Sequence, residues 1–91
     1  MATKIIIPTP LRTFTNNLEV LSANGSTVGD LLQNLTRNYS SLKMHLFTED
    51  GRLRPFVNVY LNDEDIRYLQ RERTSVKESD VIRIIPSIAG G

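Results

Sequence analysis

The residues best suited to chemistry stand at the end of this 91-residue sequence, where the last two positions are Gly90 and Gly91. No side chain after Arg83 is charged, so the nearest charge is the terminal carboxylate. Residues without a Cβ let the backbone enter a narrow channel, and five extended residues reach roughly 17 Å. A carboxylate on such a tail can attack the α-phosphate of ATP to form an acyl adenylate. Sulfide or a persulfide can then displace AMP and leave a thiocarboxylate.

The alternative for this tail is a frayed end without function, because chain termini are often disordered. A terminal pair of glycines would by itself favour that alternative. The uncharged segment before it and the strand pattern of the whole chain favour the chemical interpretation. The predicted tail consists of Ser87, Ile88, Ala89, Gly90 and Gly91.

The sequence contains few side chains that could support metal binding, nucleophilic catalysis or nucleotide binding. The absence of cysteine excludes disulfides, thiolate metal ligands and thiol nucleophiles. His45 is the only histidine and is predicted to lie at the surface or to be partly packed. Asp63, Glu64 and Asp65 lack the spacing of a calcium loop, so a polar turn with Asn62 in a left-handed conformation is favoured over a metal site. The glycines form no nucleotide-binding motif, so ATP is expected to be bound by a partner and no cofactor by this chain.

Two aromatic residues are candidates for partner binding. Phe56 and Tyr60 fall on the face of a predicted strand opposite Val57 and Val59. Aromatic side chains are enriched in the cores of interfaces. Packing beneath the loop 47–55 is an equally good alternative.

The elements that position these residues follow from the apolar pattern. Val28, Leu31, Leu32, Leu35 and Tyr39 have helical spacing. Thr27 stands at the N-cap position, with Asp30 three residues later and Ser26 as an alternative cap. Residues 40–46 are predicted to form a shorter helical turn.

The predicted strands are 5–7, 18–23, 56–61, a short strand at 66–69, and 81–85. The first and last are almost continuously apolar, so both are predicted to be buried on both faces and to lie side by side in a mixed sheet. The sequence therefore predicts an α+β protein with a β-grasp (ubiquitin-like) fold. About five strands are expected to pack on one main helix. The predicted organisation is one domain over residues 1–86 and a flexible tail over residues 87–91.

The sequence also resembles the MoaD/ThiS family of ubiquitin-like sulfur carriers over nearly its whole length. The segments that carry the likeness include Ile7-Pro8-Thr9, Thr27-Val28-Gly29, the run from Phe56 to Tyr60 continuing into 62–67, and the ending Pro86-Ser87-Ile88-Ala89-Gly90-Gly91. Within that family the likeness is strongest to the carriers of cysteine synthesis, the CysO type.

The resemblance implies a carrier rather than an enzyme. An adenylating enzyme of the MoeB/ThiF type would activate Gly91, and a sulfur donor would convert it to the thiocarboxylate. An acceptor enzyme, of the cysteine synthase type, would then take the sulfur. Gly90 would give close passage, and Ile88 and Ala89 would seat the tail. Alternatives are the small subunit of molybdopterin synthase acting with the large subunit, thiazole synthesis for thiamin, a ubiquitin-like protein modifier, and an interaction module with an inert tail.

The charge balance limits the remaining partner classes. Eleven basic and ten acidic residues give a net charge of +1, which is too small to drive binding to nucleic acid or to an anionic membrane. No segment approaches the roughly 20 apolar residues of a membrane span, and the first ten residues do not form a signal-peptide core. A cytoplasmic protein is therefore expected.

Overall fold

The computed structural model describes residues 2–86. Its strands are β1 (Ala2–Ile6), β2 (Val20–Asn24), β3 (Val57–Leu61), β4 (Glu64–Asp65) and β5 (Val81–Pro86). Its helices are α1 (Val28–Asn38) and α2 (Ser40–Leu46), with short 3-10 segments at Thr9–Phe14, Ile66–Tyr68 and Arg71–Arg73. The five strands form one sheet in the order β2-β1-β5-β3-β4. β1 and β5 run parallel in the middle, and the other pairs are antiparallel. The predicted β-grasp arrangement is confirmed.

The main helix begins as its sequence predicts. The Thr27 side chain accepts a hydrogen bond from the backbone N–H of Asp30 at 3.2 Å, which satisfies one of the free donors of the first turn. Ser26 instead donates its hydroxyl to the Asp30 carboxylate at 3.1 Å. α1 ends at Asn38, and α2 follows after the single residue Tyr39. The predicted turn over residues 40–46 is thus a helix of seven residues.

One hydrophobic core lies between the sheet and the two helices. Its innermost side chains have no exposed surface: Ile5, Ile7, Val28, Leu31, Leu32, Leu42, Leu46 and Ile82. The approach of α1 to the end of β2 depends on Gly25, because a Cβ there would lie 2.7 Å from the backbone nitrogen of Leu31. A side chain at residue 25 would therefore push the helix away from the sheet.

The prediction that β1 and β5 are buried on both faces is wrong. Burial alternates along both strands, and Lys4, Arg83 and Ile85 are exposed while Ile5 and Ile82 are buried. The reason is that both helices pack on the same face of the sheet. The described residues leave the opposite face uncovered.

Two strand predictions also need correction. Leu18 lies before β2, which begins at Val20. Residues 66–68 form a 3-10 turn rather than a strand, because the Asp65 carboxylate accepts the N–H of Arg67 and caps the turn. The short fourth strand is the preceding pair, Glu64–Asp65. Asn62 has the predicted left-handed conformation, with φ 56°.

None of the helices within residues 2–86 is both long and apolar enough to cross a membrane.

Candidate functional site: the end of the central strand and the open sheet face

The predicted tail would begin at the end of the central strand. β5 is bracketed by β1 on one side and by β3 on the other. Pro86, its last residue, lies opposite Val57 in the register of β3. Residues 87–91, which include all five predicted tail residues from Ser87 to Gly91, lie outside the described part of the chain. The described structure therefore fixes the base from which they start.

The side of the sheet that faces away from the helices is here called the outer face. Its residues include Ile6, Val20, Asn58, Tyr60, Arg83 and Ile85, as the register and burial pattern indicate. Arg83 lies opposite Ile6 on one neighbouring strand and opposite Tyr60 on the other. Val20 continues the same row at the β2 edge, because it pairs with Ile6. A row of side chains thus crosses four strands.

Apolar surface is exposed on this face close to the end of β5. Ile85 exposes 44% of its surface, and Val20 exposes 46%. Ile85 is the penultimate residue of β5 and lies opposite Asn58. An apolar side chain one residue before the end of the strand would adjoin any enzyme that takes hold of the following segment.

Phe56 and Tyr60 lie in the same region. Phe56 directly precedes β3 and exposes 44% of its surface, and Tyr60 is half-buried on the outer face. Neither aromatic residue belongs to the core or to the partly buried residues packed against it. Their role in binding a partner remains a prediction.

Asp65, in β4, is the buried acidic residue of the part of the chain that the structure describes. It lies opposite Tyr60, exposes 7% of its surface, and accepts hydrogen bonds from the Arg67 guanidinium, the shortest being 2.7 Å from Nη2. The hydrogen bond from the Arg67 side chain holds the pKa of Asp65 below its usual value, against the opposing effect of burial. The same hydrogen bond raises the pKa of Arg67. Asp65 is therefore an ionised structural group.

The described residues offer no other obvious chemistry. Between residues 2 and 86 no group of three or more His, Asp or Glu side chains is placed to hold a metal ion. His45 is half-buried and stacks on Phe14 with ring centroids 4.2 Å apart and planes inclined by 26°. This contact joins α2 to the 3-10 segment Thr9–Phe14, in agreement with the predicted partly packed role.

Sequence reasoning missed several residues of the outer face, among them Ile6, Val20, Arg83 and Ile85. The sequence contains only one long amphipathic helix pattern. Because one layer of helices covers only one face of a sheet, this pattern already indicated that the other face is exposed. With one face uncovered, the apolar residues that alternate with Ile5 and Ile84 must be exposed.

Comparison with known proteins gives a consistent result. A sequence model of the ThiS family matches residues 5–91. The sulfur carrier protein CysO of Mycobacterium tuberculosis is 38% identical over 93 residues, with all of both chains covered. Small archaeal modifier protein 3 of Haloferax volcanii is 36% identical over 66 residues, covering 72% of this chain and 71% of the relative.

A solved structure extends the likeness to three dimensions. In the crystal structure of the Amycolatopsis orientalis BexX/CysO complex, the matched chain is 37% identical and superimposes with a TM-score of 0.90. The match covers 99% of this chain and 100% of the other. It therefore spans the whole sheet and both helices.

Proposed function

Because this chain belongs to the ThiS family, we propose that it is a sulfur carrier whose Gly91 carboxylate is adenylated by a partner enzyme and converted to a thiocarboxylate. The observation that carries the proposal is that the family match runs through residue 91 and so includes the Gly-Gly ending. The fold supports it in a second way, because a central strand gives the following residues a rigid base.

The proposed reaction needs no catalytic side chain from this protein. The Gly91 carboxylate oxygen attacks the α-phosphate of ATP, so that a bond to phosphorus forms and pyrophosphate leaves. Sulfide then attacks the activated carbonyl carbon, the C–O bond to AMP breaks, and AMP departs with the electron pair. The product is a thiocarboxylate, and no oxidant or reductant is consumed. ATP is held by the partner, and this chain acts as a co-substrate.

Two enzymes are needed as partners in this proposal, besides the source of sulfur. An adenylating enzyme of the MoeB/ThiF type would bind the outer face through Phe56, Tyr60 and Ile85, while residues 87–91 enter its active site. An acceptor enzyme would later receive the same segment. The solved complex of a CysO protein with BexX supports an acceptor of this kind. Since the activation consumes ATP, the proposed location is the cytoplasm.

The likeness to CysO proteins supports cysteine synthesis as the pathway served, with an acceptor of the cysteine synthase type. Molybdopterin synthase would use the same tail chemistry with a different acceptor. The acceptor is another polypeptide, so purified candidate acceptors should be compared for their rate of sulfur removal from the thiocarboxylate form.

Intact mass spectrometry tests the carrier chemistry directly. The full chain is incubated with lysate of its source, ATP and sulfide. We expect a mass gain equal to replacing one oxygen by sulfur, dependent on ATP and absent from a variant that lacks Gly90 and Gly91. A folded protein that shows no such species in a lysate that activates a known ThiS protein would refute the proposal.

A second candidate is a protein modifier, which the likeness to small archaeal modifier protein 3 favours. The same adenylate would then be attacked by a lysine amine of a target to form an isopeptide bond. High-molecular-weight adducts in the same lysate, lost on deletion of Gly90 and Gly91, would establish this second fate. Adducts and thiocarboxylate together would mean that one activation step feeds both.

A further inference from the structure

β2 leaves one edge of the sheet open. Among the described residues it pairs only with β1. The N–H of Ile7 donates to the carbonyl of Glu19 at 2.8 Å, which makes these two a hydrogen-bonded antiparallel pair. Hydrogen-bonded and non-hydrogen-bonded pairs alternate along the ladder, so the backbone N–H and C=O groups of Leu21 and Ala23 point toward β1. The backbone groups of Val20 and Ser22 therefore point away from the sheet.

The sequence of this edge strand carries little of the usual protection against pairing. Natural edge strands are often shortened or protected by lysine, proline or a bulge. β2 has five residues and contains neither proline nor a charged side chain. The opposite edge, β4, has only two residues and ends in the capped turn at Asp65. Of the two edges, only β2 is long enough to accept another strand.

A groove runs between this edge and helix α1. It has a volume of about 340 Å³, and its lining residues are Ser22, Ala23, Asn24, Asn34, Arg37 and Asn38. The side-chain amide of Asn34 donates a hydrogen bond to the carbonyl of Asn24. The Asn34 side chain therefore covers one end of the open edge. Arg37 is exposed and lines the groove, and its Nη1 donates to Asn34 Oδ1 at 3.1 Å.

The positive charge of the groove indicates which kind of peptide it binds. Arg37 is the only charged residue among those that line it. A strand added to β2 would lie about 4.8 Å away, with alternate side chains directed toward α1 and toward the outer face. The first set meets Arg37, which pairs well with a carboxylate. The second set adjoins Val20, whose side chain is 46% exposed.

We propose that the β2–α1 groove binds an extended acidic peptide of a partner protein by strand addition, with acidic side chains toward Arg37 and β-branched side chains beside Val20. Main-chain hydrogen bonds to Val20 and Ser22 would supply affinity, as in other strand-addition complexes. A second copy of this chain is the alternative occupant, and the test below distinguishes it. The proposed site is independent of Gly91.

A titration followed by ¹H–¹⁵N NMR tests the site on the full chain. The probe is the blocked peptide acetyl-Val-Asp-Val-Glu-Val-Asp-amide, compared with the same peptide carrying lysine in place of each acidic residue. We expect the acidic probe to shift the amides of Val20, Ser22 and Arg37, and the basic probe to leave them in place. Methylation of the alternate amide nitrogens of the acidic probe that face β2 removes the hydrogen-bond donors of the added strand. This methylated probe should no longer shift the three amides.

Variants separate the backbone contribution from the charge. Ser22→Pro removes an outward N–H and is expected to weaken binding roughly tenfold, whereas Ser22→Ala keeps the donor and should bind as before. Arg37→Glu should reverse the preference between the two probes, and Arg52→Glu, an exposed change elsewhere, should not. The N-methylated probe keeps the test decisive if Ser22→Pro does not fold.

Three results would overturn the proposal. One is the absence of shifts at β2, or shifts confined to other surfaces. Another is equal binding of the acidic and basic probes. The third is concentration-dependent dimerisation in analytical ultracentrifugation that Ser22→Pro abolishes, since the edge would then serve a second copy of this chain.

Discussion

Asp65 links a strand to a turn through one carboxylate. Its Oδ1 accepts the backbone N–H of Arg67 at 2.9 Å, and its Oδ2 lies 2.7 Å from the Nη2 of the same residue. The carboxylate thus caps the 3-10 turn and neutralises the arginine that follows β4. This local arrangement replaces the strand that the apolar residues Ile66 and Leu69 had suggested.

The charge of Asp65 should therefore stabilise the fold in a pH-dependent way. Since the folded-state pKa lies below the usual 3.8, the contribution is complete above that value and is lost as the pH falls through the lower, folded pKa. We expect Asp65→Asn to lower the free energy of unfolding by about 1–2 kcal/mol near pH 7. The difference from wild type should shrink below about pH 4.

Urea denaturation at several pH values measures this effect. Asp63→Asn removes an exposed carboxylate in the turn between β3 and β4 and is the matched control. An Asp63→Asn loss as large as that of Asp65→Asn, or a gap that persists at low pH, would contradict the assignment to the Arg67 contact.

At the scale of elements, helix α1 depends on its first turn. The Thr27 hydroxyl satisfies the N–H of Asp30, and Gly25 allows the helix to start close to the end of β2. Both residues lie at the N-terminal end of the helix, before its apolar stripe begins. Helix α1 in turn forms one wall of the β2–α1 groove.

Loss of the N-cap should weaken this helix measurably. Thr27→Ala is expected to lower the free energy of unfolding by about 1 kcal/mol, because one backbone donor of the first turn loses its partner. Thr27→Ser keeps the hydroxyl and should cost much less. Thermal unfolding followed by circular dichroism compares them, and equal losses for both variants would show that the methyl group, rather than the hydroxyl, matters.

At the scale of the whole molecule, one layer of helices covers one face of one sheet. This two-layer arrangement explains why isoleucines of the same strand, β5, have opposite surroundings. Ile82 is completely buried, whereas Ile85 exposes 44% of its surface on the outer face. The same strand thus holds the core together and presents apolar surface beside the segment that follows it.

Two alanine substitutions in β5 test this division. Ile82→Ala should lower the free energy of unfolding by about 2–5 kcal/mol, because it leaves a cavity in the core. Ile85→Ala should cost under about 1 kcal/mol yet slow adenylation by the activating enzyme. Chemical denaturation and the rate of thiocarboxylate formation are the two measurements. Losses of stability that are similar in both variants would mean that the outer face is covered.

The sequence by itself determined the order of the elements and the capped helix α1. Hydrophobic spacing and capping chemistry are local properties, readable within a few residues. It also indicated that the first and last strands lie side by side in the middle of the sheet, although the expectation that both faces of these strands are buried was wrong. The Gly90–Gly91 ending, and with it the proposed carrier chemistry, is likewise a feature of sequence alone.

Only the tertiary structure decided which face of each strand is covered and which strand edge is open. Ile5 and Ile6 have the same side chain, and their different burial depends on where α1 and α2 lie. The groove beside Arg37 joins two segments at least ten positions apart, and its walls exist only after the helix packs across β2. Such surfaces follow from long-range packing, which no local pattern in the chain specifies.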